Sequence, residues 1–163
     1  MKQLYIIRHA KSSWKNLSLD DFDRGLNKRG ALNAPFMGLK LKEAGVLPDI
    51  IISSPALRAK ITAKVIAKKT KYKKDIIFDK NIYESTVNNL HKIVTSIDDK
   101  NNIAFLFGHN PTLNMLVEDY IDFYDNIPTC GIVKIEFNCN SWKEINGSNA
   151  SFISFDCPKR YKE

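Results

Sequence analysis

The chain has 163 residues, of which 44% are hydrophobic and 26% are charged. This length suits one buried core, so we expect a single domain over residues 1–163. The composition excludes a disordered or low-complexity protein. No apolar run approaches the roughly 20 residues that cross a bilayer, which argues against a membrane protein.

The net charge of +7 arises from 25 basic and 18 acidic side chains and favours anionic partners. The densest basic stretch, residues 68–74, contains one aromatic residue and no known nucleic-acid-binding motif. We interpret it as the solvated end of a helix, and we expect neither nucleic acid nor a membrane as a partner. The start has no signal-peptide core, and the cysteines lack zinc-ligand spacing, so we expect a cytoplasmic protein with reduced thiols.

Six apolar runs are typical of strands, and helical patterns separate the first four. The predicted strands are Leu4–Ile7, Ile50–Ile52, Ile76–Phe78, Ile103–Phe107, Ile132–Phe137 and Phe152–Phe155. The predicted helices are one from Asn27 to Gly45 carrying Leu32, Phe36, Leu39 and Leu41, one after Ser54-Pro55, one over Val87–Ile97 and one after Asn110-Pro111. This alternation predicts an α/β fold, a three-layer α/β/α sandwich with a largely parallel sheet and the last strands added at an edge.

Candidate site residues follow three of these strands, where the loops at carboxyl ends build active sites. The first strand runs into Arg8 and His9. An arginine is a bidentate partner for phosphate oxygens, whereas a histidine alone at a strand end is more often structural. Arg58 lies four positions after Ser54, the predicted helix cap, and can reach back over the opening turn. A solvated arginine on an amphipathic helix is the alternative for Arg58.

The fourth strand leads directly to His109, two positions before Pro111. Proline suits the start of a helix, whose backbone N–H groups and dipole favour an anion nearby. Together with the first two strand ends, this predicts an anion receptor in which two arginines and two helix N-termini surround two histidines.

Three segments resemble the histidine phosphatase superfamily, and the likeness extends over nearly the whole chain. They are Leu4–Ala10, Ser53–Ala59 with Thr62, and Gly108–Pro111. Within the superfamily the chain is most similar to the short bacterial branch of SixA-type phosphohistidine phosphatases, which the segment Asp21–Arg24 also resembles.

The resemblance implies that His9 accepts the phosphoryl group and that Arg8, Arg58 and His109 complete the phosphate pocket. In such chemistry a neutral imidazole attacks phosphorus in line, and fixed cations stabilise the equatorial oxygens. His109 would donate a hydrogen bond to those oxygens, best if it is protonated when phosphate binds. No metal or other cofactor is implied. His91 is assigned to a solvated helix face.

The resemblance marks further positions around this core. Glu84 occupies the place where the superfamily often keeps its proton donor, although an acidic residue is equally expected in a first helical turn. Ser12 matches a minor phosphate-contact position, but many members place an asparagine slightly further on, where this chain has Lys15 before Asn16. Thr129 is a candidate for the pocket wall.

Only 24 residues separate Glu84 from His109, so no lid insertion is expected. An open pocket admits a phosphate on a protein surface. When the phosphorylated imidazole is protonated, it leaves phosphorus with little need for acid catalysis. The leading prediction is a phosphatase that hydrolyses phosphohistidine, or another phosphoprotein, through a phosphohistidine intermediate on His9. The alternatives are a monoesterase acting on a small phosphate ester and a non-catalytic phosphate-binding module. The sequence does not indicate an oligomeric state.

Overall fold

The structure is a computed structural model that describes residues 1–161. Its strands are β1 (Lys2–Arg8), β2 (Ile50–Ser53), β3 (Ile77–Phe78), β4 (Ile103–Gly108), β5 (Ile132–Phe137) and β6 (Ala150–Asp156). Its α-helices are α1 (Lys28–Glu43), α2 (Leu57–Lys69), α3 (Val87–Thr95) and α4 (Thr112–Tyr120). Within residues 1–161, no helix has the length and apolar character needed to cross a membrane.

The six strands form one sheet in the order β3-β2-β4-β1-β5-β6. The first four strands pair in parallel, whereas β5 and β6 are antiparallel additions at one edge. This confirms the predicted α/β fold and the predicted added strands. The parallel pairing brings the carboxyl ends of β1, β2 and β4 to the same side of the molecule, where the candidate residues lie.

Both faces of the sheet are covered, because side chains alternate between two cores along each strand. Leu4 and Ile6 of β1 belong to the core that also contains residues of α3 and α4. Tyr5 and Ile7 belong to the other core, which contains residues of α1 and α2. The three layers predicted from the sequence are therefore present, with the sheet in the middle.

Helix α1 begins as predicted, since the Asn27 side chain accepts a hydrogen bond of 2.8 Å from the Gly30 N–H. Its predicted apolar face is partly wrong. Leu32 and Leu39 are exposed, whereas Leu41 is buried as predicted together with Gly30, Ala34, Met37 and Gly38. Small residues dominate the buried side because α1 packs closely against α2 and the backbone near Lys11.

Helix α2 begins at Leu57, so the prediction that Ser54 is its cap is wrong. The Ser54 hydroxyl instead accepts a hydrogen bond of 3.2 Å from the Ala56 N–H in the turn before the helix. The basic stretch ends the helix as predicted, with Lys68 and Lys69 in its last turn.

Replacing Gly30 with alanine should destabilise the protein. A Cβ atom there would overlap the carbonyl oxygen of Lys11 and lie 2.9 Å from the backbone nitrogen of Lys11. We expect Gly30→Ala to lower the free energy of unfolding by about 2 kcal/mol, measured by urea denaturation. Gly25→Ala is the matched control, because its Cβ would lie 3.6 Å from the Leu57 side chain. Equal denaturation midpoints for the two variants would contradict this packing.

Candidate active site

The four residues of the predicted phosphate pocket lie together at the carboxyl edge of the sheet. Arg8 is paired with Gly108 across β1 and β4, so the next residues, His9 and His109, lie side by side. The centroids of their rings are 5.2 Å apart. Arg58 comes from the first turn of α2, and its charge acts on both histidines.

Local backbone contacts fix the orientation of His9. Its Nδ1 atom lies 2.7 Å from the carbonyl oxygen of Ala10. A carbonyl only accepts, so Nδ1 carries the hydrogen and Nε2 keeps its lone pair. The N–H of Ala10 donates to Thr62 Oγ1 at 3.0 Å, and the Thr62 hydroxyl donates to the carbonyl of Arg58 at 2.7 Å. The loop after β1 is thereby tied to the helix that carries Arg58.

His9 is neutral at neutral pH. Burial is the main cause that lowers its pKa to about 4, and the charges of Arg58 and Arg8 act in the same direction. The hydrogen bond to Ala10 opposes this shift in part. A neutral imidazole with a free Nε2 lone pair is the form that can act as a nucleophile.

His109 contacts Ser54, the residue predicted to be a helix cap. The distance from His109 Nε2 to Ser54 Oγ is 2.8 Å. Burial lowers the pKa of His109 to about 3, and repulsion from His9, once that ring is protonated, and from Arg58 acts in the same direction. His109 is therefore neutral in this site, and its protonation when phosphate binds stays a prediction.

Two buried side-chain atoms among residues 1–161 have no hydrogen-bond partner, and both lie in this site: Arg8 Nε and His109 Nδ1. The other end of the Arg8 guanidinium is held, since Nη1 donates to the carbonyl oxygen of Ile127 at 2.9 Å. Burial, followed by the charge of Arg58, lowers the pKa of Arg8 from its ordinary value. Buried nitrogen atoms without partners are rare in proteins and call for an explanation.

Asp21 pairs with two arginines, Arg24 and Arg58. Arg58 donates to its backbone carbonyl at 2.7 Å and to Oδ2 at 3.0 Å, and Arg24 donates to Oδ1 at 2.7 Å. The Tyr83 hydroxyl also donates to Oδ2, at 2.7 Å. Burial acts to raise the pKa of Asp21, but hydrogen bonds from Arg24, Tyr83 and Arg58 outweigh it and hold that pKa well below its usual value. The carboxylate fixes the plane of the Arg58 guanidinium.

The sequence predicts no role for Asp21 or Tyr83. The Asp21–Arg24 segment carries only a likeness to the family, and nothing in the sequence links Asp21 to Arg58 or Tyr83 across 37 and 62 positions. The spacing of Asp21 and Arg24 is compatible with a local ion pair, but only the folded loop shows that a second arginine shares the carboxylate.

The other predicted site residues differ in their exposure to solvent. Ser12 is buried, and its hydroxyl accepts a hydrogen bond of 2.8 Å from Arg24. Thr129 is half-buried. Lys15 and Asn16 are exposed in the loop that follows Ser12. Glu84 is exposed too and has a backbone φ of 50°.

Glu84 lines a cavity of about 450 Å³ together with Arg58, Tyr83 and His109.

His91, the third histidine, lies outside this cavity. The assignment of His91 to a solvated face is wrong, because the residue is half-buried and its Nδ1 lies 2.6 Å from the Tyr120 hydroxyl.

An α/β sandwich with two histidines at neighbouring strand ends is the architecture predicted from the pattern of strands and helices, and the structure has it. The chain belongs to the histidine phosphatase superfamily, since the model of its branch 1 matches residues 4–125. It is similar in fold to a putative phosphohistidine phosphatase SixA from Agrobacterium tumefaciens, with a TM-score of 0.82, 24% identity and coverage of 96% of this chain and 98% of the other. A SixA protein histidine phosphatase complexed with tungstate gives a TM-score of 0.83 at 18% identity, with coverage of 98% and 99%.

Relatives in sequence are more varied. The chain is 29% identical over 153 residues to an uncharacterized chloroplastic protein of Arabidopsis thaliana, covering 88% of this chain and 70% of the relative. A 2,3-bisphosphoglycerate-dependent phosphoglycerate mutase of Chelativorans sp. (strain BNC1) is 41% identical over 61 residues. That match covers 36% of this chain and 30% of the mutase.

The two site histidines should make stability depend on pH. The unfolded chain binds their protons near pH 6.5, whereas the folded chain binds them only near pH 4 and below. The unfolded state therefore holds more protons between these values, and the free energy of unfolding falls as the pH falls through this window. Each histidine contributes up to about 1.4 kcal/mol per pH unit.

Urea denaturation between pH 7 and pH 4 measures this dependence, with His9→Asn and His109→Asn each removing one titrating group. Each variant should have a shallower dependence than the wild type. A slope that neither substitution changes would contradict the assignment of these low pKa values.

Proposed function

We propose that the protein is a phosphatase that hydrolyses phosphohistidine on proteins through a phosphohistidine intermediate on His9. The observation that supports it most is the pair of buried nitrogen atoms without partners, Arg8 Nε and His109 Nδ1. An unsatisfied buried donor costs about 1–3 kcal/mol, so both atoms favour a ligand with several acceptor oxygens. A phosphoryl group is such a ligand, and the Nε2 lone pair of His9 is available beside it.

The hydrogen on His109 has a defined place in this proposal. Ser54 Oγ already accepts a hydrogen bond from the Ala56 N–H, and its own hydrogen is free to be donated to His109 Nε2. A neutral His109 then carries its hydrogen on Nδ1, which is the buried atom without a partner. His109 can thus donate to a phosphoryl oxygen from Nδ1 without first taking up a second proton.

In the first step, His9 Nε2 attacks phosphorus while the bond from phosphorus to the substrate's ring nitrogen breaks. The other nitrogen of that ring is protonated, so the departing ring takes the bonding electron pair and leaves as neutral imidazole. Arg8 and Arg58 stabilise the charge on the equatorial oxygens. The clamp of Asp21 on Arg58 supports this role, because the guanidinium needs no reorientation during the reaction.

In the second step, water attacks phosphorus and the bond to His9 Nε2 breaks. Inorganic phosphate is released, and the proton lost by the water passes to the products. The intermediate on His9 divides a difficult hydrolysis into two displacements. Only 24 residues separate Glu84 from His109, and α3 and β4 take up most of them, which supports access by a phosphorylated protein and by water.

A second candidate is hydrolysis of phosphate monoesters. It is favoured by the position of Glu84 on the wall of the cavity beside Arg58, where a carboxylic acid could protonate an ester oxygen. A relative named serine/threonine-protein phosphatase Pgam5, from Drosophila ananassae, is 32% identical over 74 residues, covering 45% of this chain and 25% of that protein. Asp21 is unsuited to the task of acid, because its neighbours hold it ionised.

The proposal is tested by measuring phosphate release from a histidine-phosphorylated carrier protein and from phenyl phosphate. We expect turnover of the phosphoprotein by the wild type and a loss of at least about 10³-fold in His9→Ala, because the nucleophile is absent. His91→Ala is the control, since it removes a histidine outside the site. Turnover of the ester alone would support the second candidate, and no turnover of either compound would leave a phosphate-binding module.

Replacing Glu84 with glutamine separates the two enzyme candidates. A departing imidazole needs no proton donor, so we expect kcat/KM for the phosphoprotein to change by less than about threefold. Hydrolysis of phenyl phosphate should fall by about 10²-fold, since the phenolate oxygen loses its acid. Glu118→Gln serves as a control for an exposed carboxylate on α4. A large and equal loss on both substrates would contradict the proposed leaving-group chemistry.

A further inference from the structure

Arg8 and Arg58 are held in different ways. Arg58 pairs with the carboxylate of Asp21, whereas Arg8 Nη1 donates to the backbone carbonyl oxygen of Ile127 at 2.9 Å. Among residues 1–161, Arg8 forms no salt bridge. Ile127 lies in residues 121–131, which connect α4 to β5 and form neither a helix nor a strand. The direction of the Arg8 side chain therefore depends on how the backbone of this connection is fixed.

Two asparagines bind both polar backbone groups of Ile127. Asn110 Nδ2 donates to the Ile127 carbonyl oxygen at 2.9 Å. A carbonyl oxygen has two lone pairs, so it can accept from Arg8 and Asn110 at the same time. The N–H of Ile127 donates to Asn114 Oδ1 at 2.8 Å, and Asn114 Nδ2 donates to the carbonyl oxygen of Asp125 at 3.0 Å. The peptide groups on both sides of Ile127 are thus held in place.

The hydrogen bonds also define which way the Asn110 amide points. The backbone N–H of Asn114 donates to Asn110 Oδ1 at 3.1 Å, so Nδ2 is the end of the amide that faces Ile127. Asn110 directly follows His109, and Asn114 lies in the first turn of α4. A continuous set of hydrogen bonds therefore leads from the segment that carries His109, through Ile127, to Arg8.

We propose that Asn110 and Asn114 are positioning residues that direct Arg8 toward the phosphoryl group, a role that rests on the proposed function. The guanidinium is planar, so a fixed Nη1 restricts the direction of Nε, the buried atom without a partner. The Ile127 carbonyl carries no net charge. It orients Arg8 without neutralising it, as the Asp21 carboxylate would, and the positive charge stays available for phosphoryl oxygens.

A double-mutant cycle with Arg8→Ala tests this role, because a residue that acts through Arg8 has no effect once Arg8 is gone. The measured quantity is the dissociation constant of inorganic phosphate, followed by ³¹P NMR. Asn110→Ala should raise it about tenfold in the wild type and less than about twofold in Arg8→Ala. A mere disturbance of the neighbouring His109 would weaken binding equally in both backgrounds, and that result would overturn the proposal.

Asn114→Ala is the second variant, because it loosens Ile127 without changing the residue next to His109. It should show the same dependence on Arg8, with a loss of about threefold to tenfold in the wild type. Urea denaturation establishes that each variant is folded before binding is compared.

Asn149→Ala is the matched control. Its amide likewise donates to a backbone carbonyl, that of Glu144 at 2.9 Å, but the strand register places it at the amino end of β1, away from the site. Phosphate binding should not change in this variant. An effect of Asn110→Ala and Asn114→Ala no larger than that of Asn149→Ala would overturn the positioning role. Coupling to Arg8 in a wild type that hydrolyses no phosphohistidine would keep the positioning role and overturn the proposed function instead.

Discussion

The parallel register between β1 and β4 is the constraint on which the site depends. It pairs Arg8 with Gly108, so the residues that follow the two strands, His9 and His109, are neighbours. The centroids of their rings lie 5.2 Å apart. A shift by one residue would turn every side chain of β1 to the other face of the sheet. The two buried cores on either side of β1 oppose such a shift, so hydrophobic packing sets the geometry of the polar site.

Burying the charged arginines of the site is unfavourable, and the protein compensates some of these charges more than others. Asp21 compensates Arg58 and Arg24 through hydrogen bonds, and the loop that carries it is tied to Tyr83 as well. Arg8 receives less compensation and leaves its Nε atom without a partner. The two histidines remain neutral beside these cations. We propose that such a site is prepared for an anion before one binds, as electrostatic catalysis requires.

The sequence predicted the elements well where hydrophobic periodicity was strong. All six strands and four helices are found near their predicted positions, and His9, Arg8, Arg58 and His109 converge because strand ends of a parallel sheet must meet. Tertiary contacts decided the rest. Ser54 contacts His109 rather than capping a helix, and Asp21 shares its two carboxylate oxygens between the nearby Arg24 and the distant Arg58. No local pattern specifies contacts of that kind, since they depend on how a loop folds over the sheet.

The central claim is that His9 carries the phosphoryl group during turnover. The most direct measurement is rapid quenching of the enzyme with a ³²P-labelled phosphohistidine protein, followed by mass spectrometry of its peptides. The account predicts a label on the peptide containing His9 that is stable in base, labile in acid and formed as fast as the substrate is consumed. Turnover with no label on His9, or with the label on another residue, would contradict it.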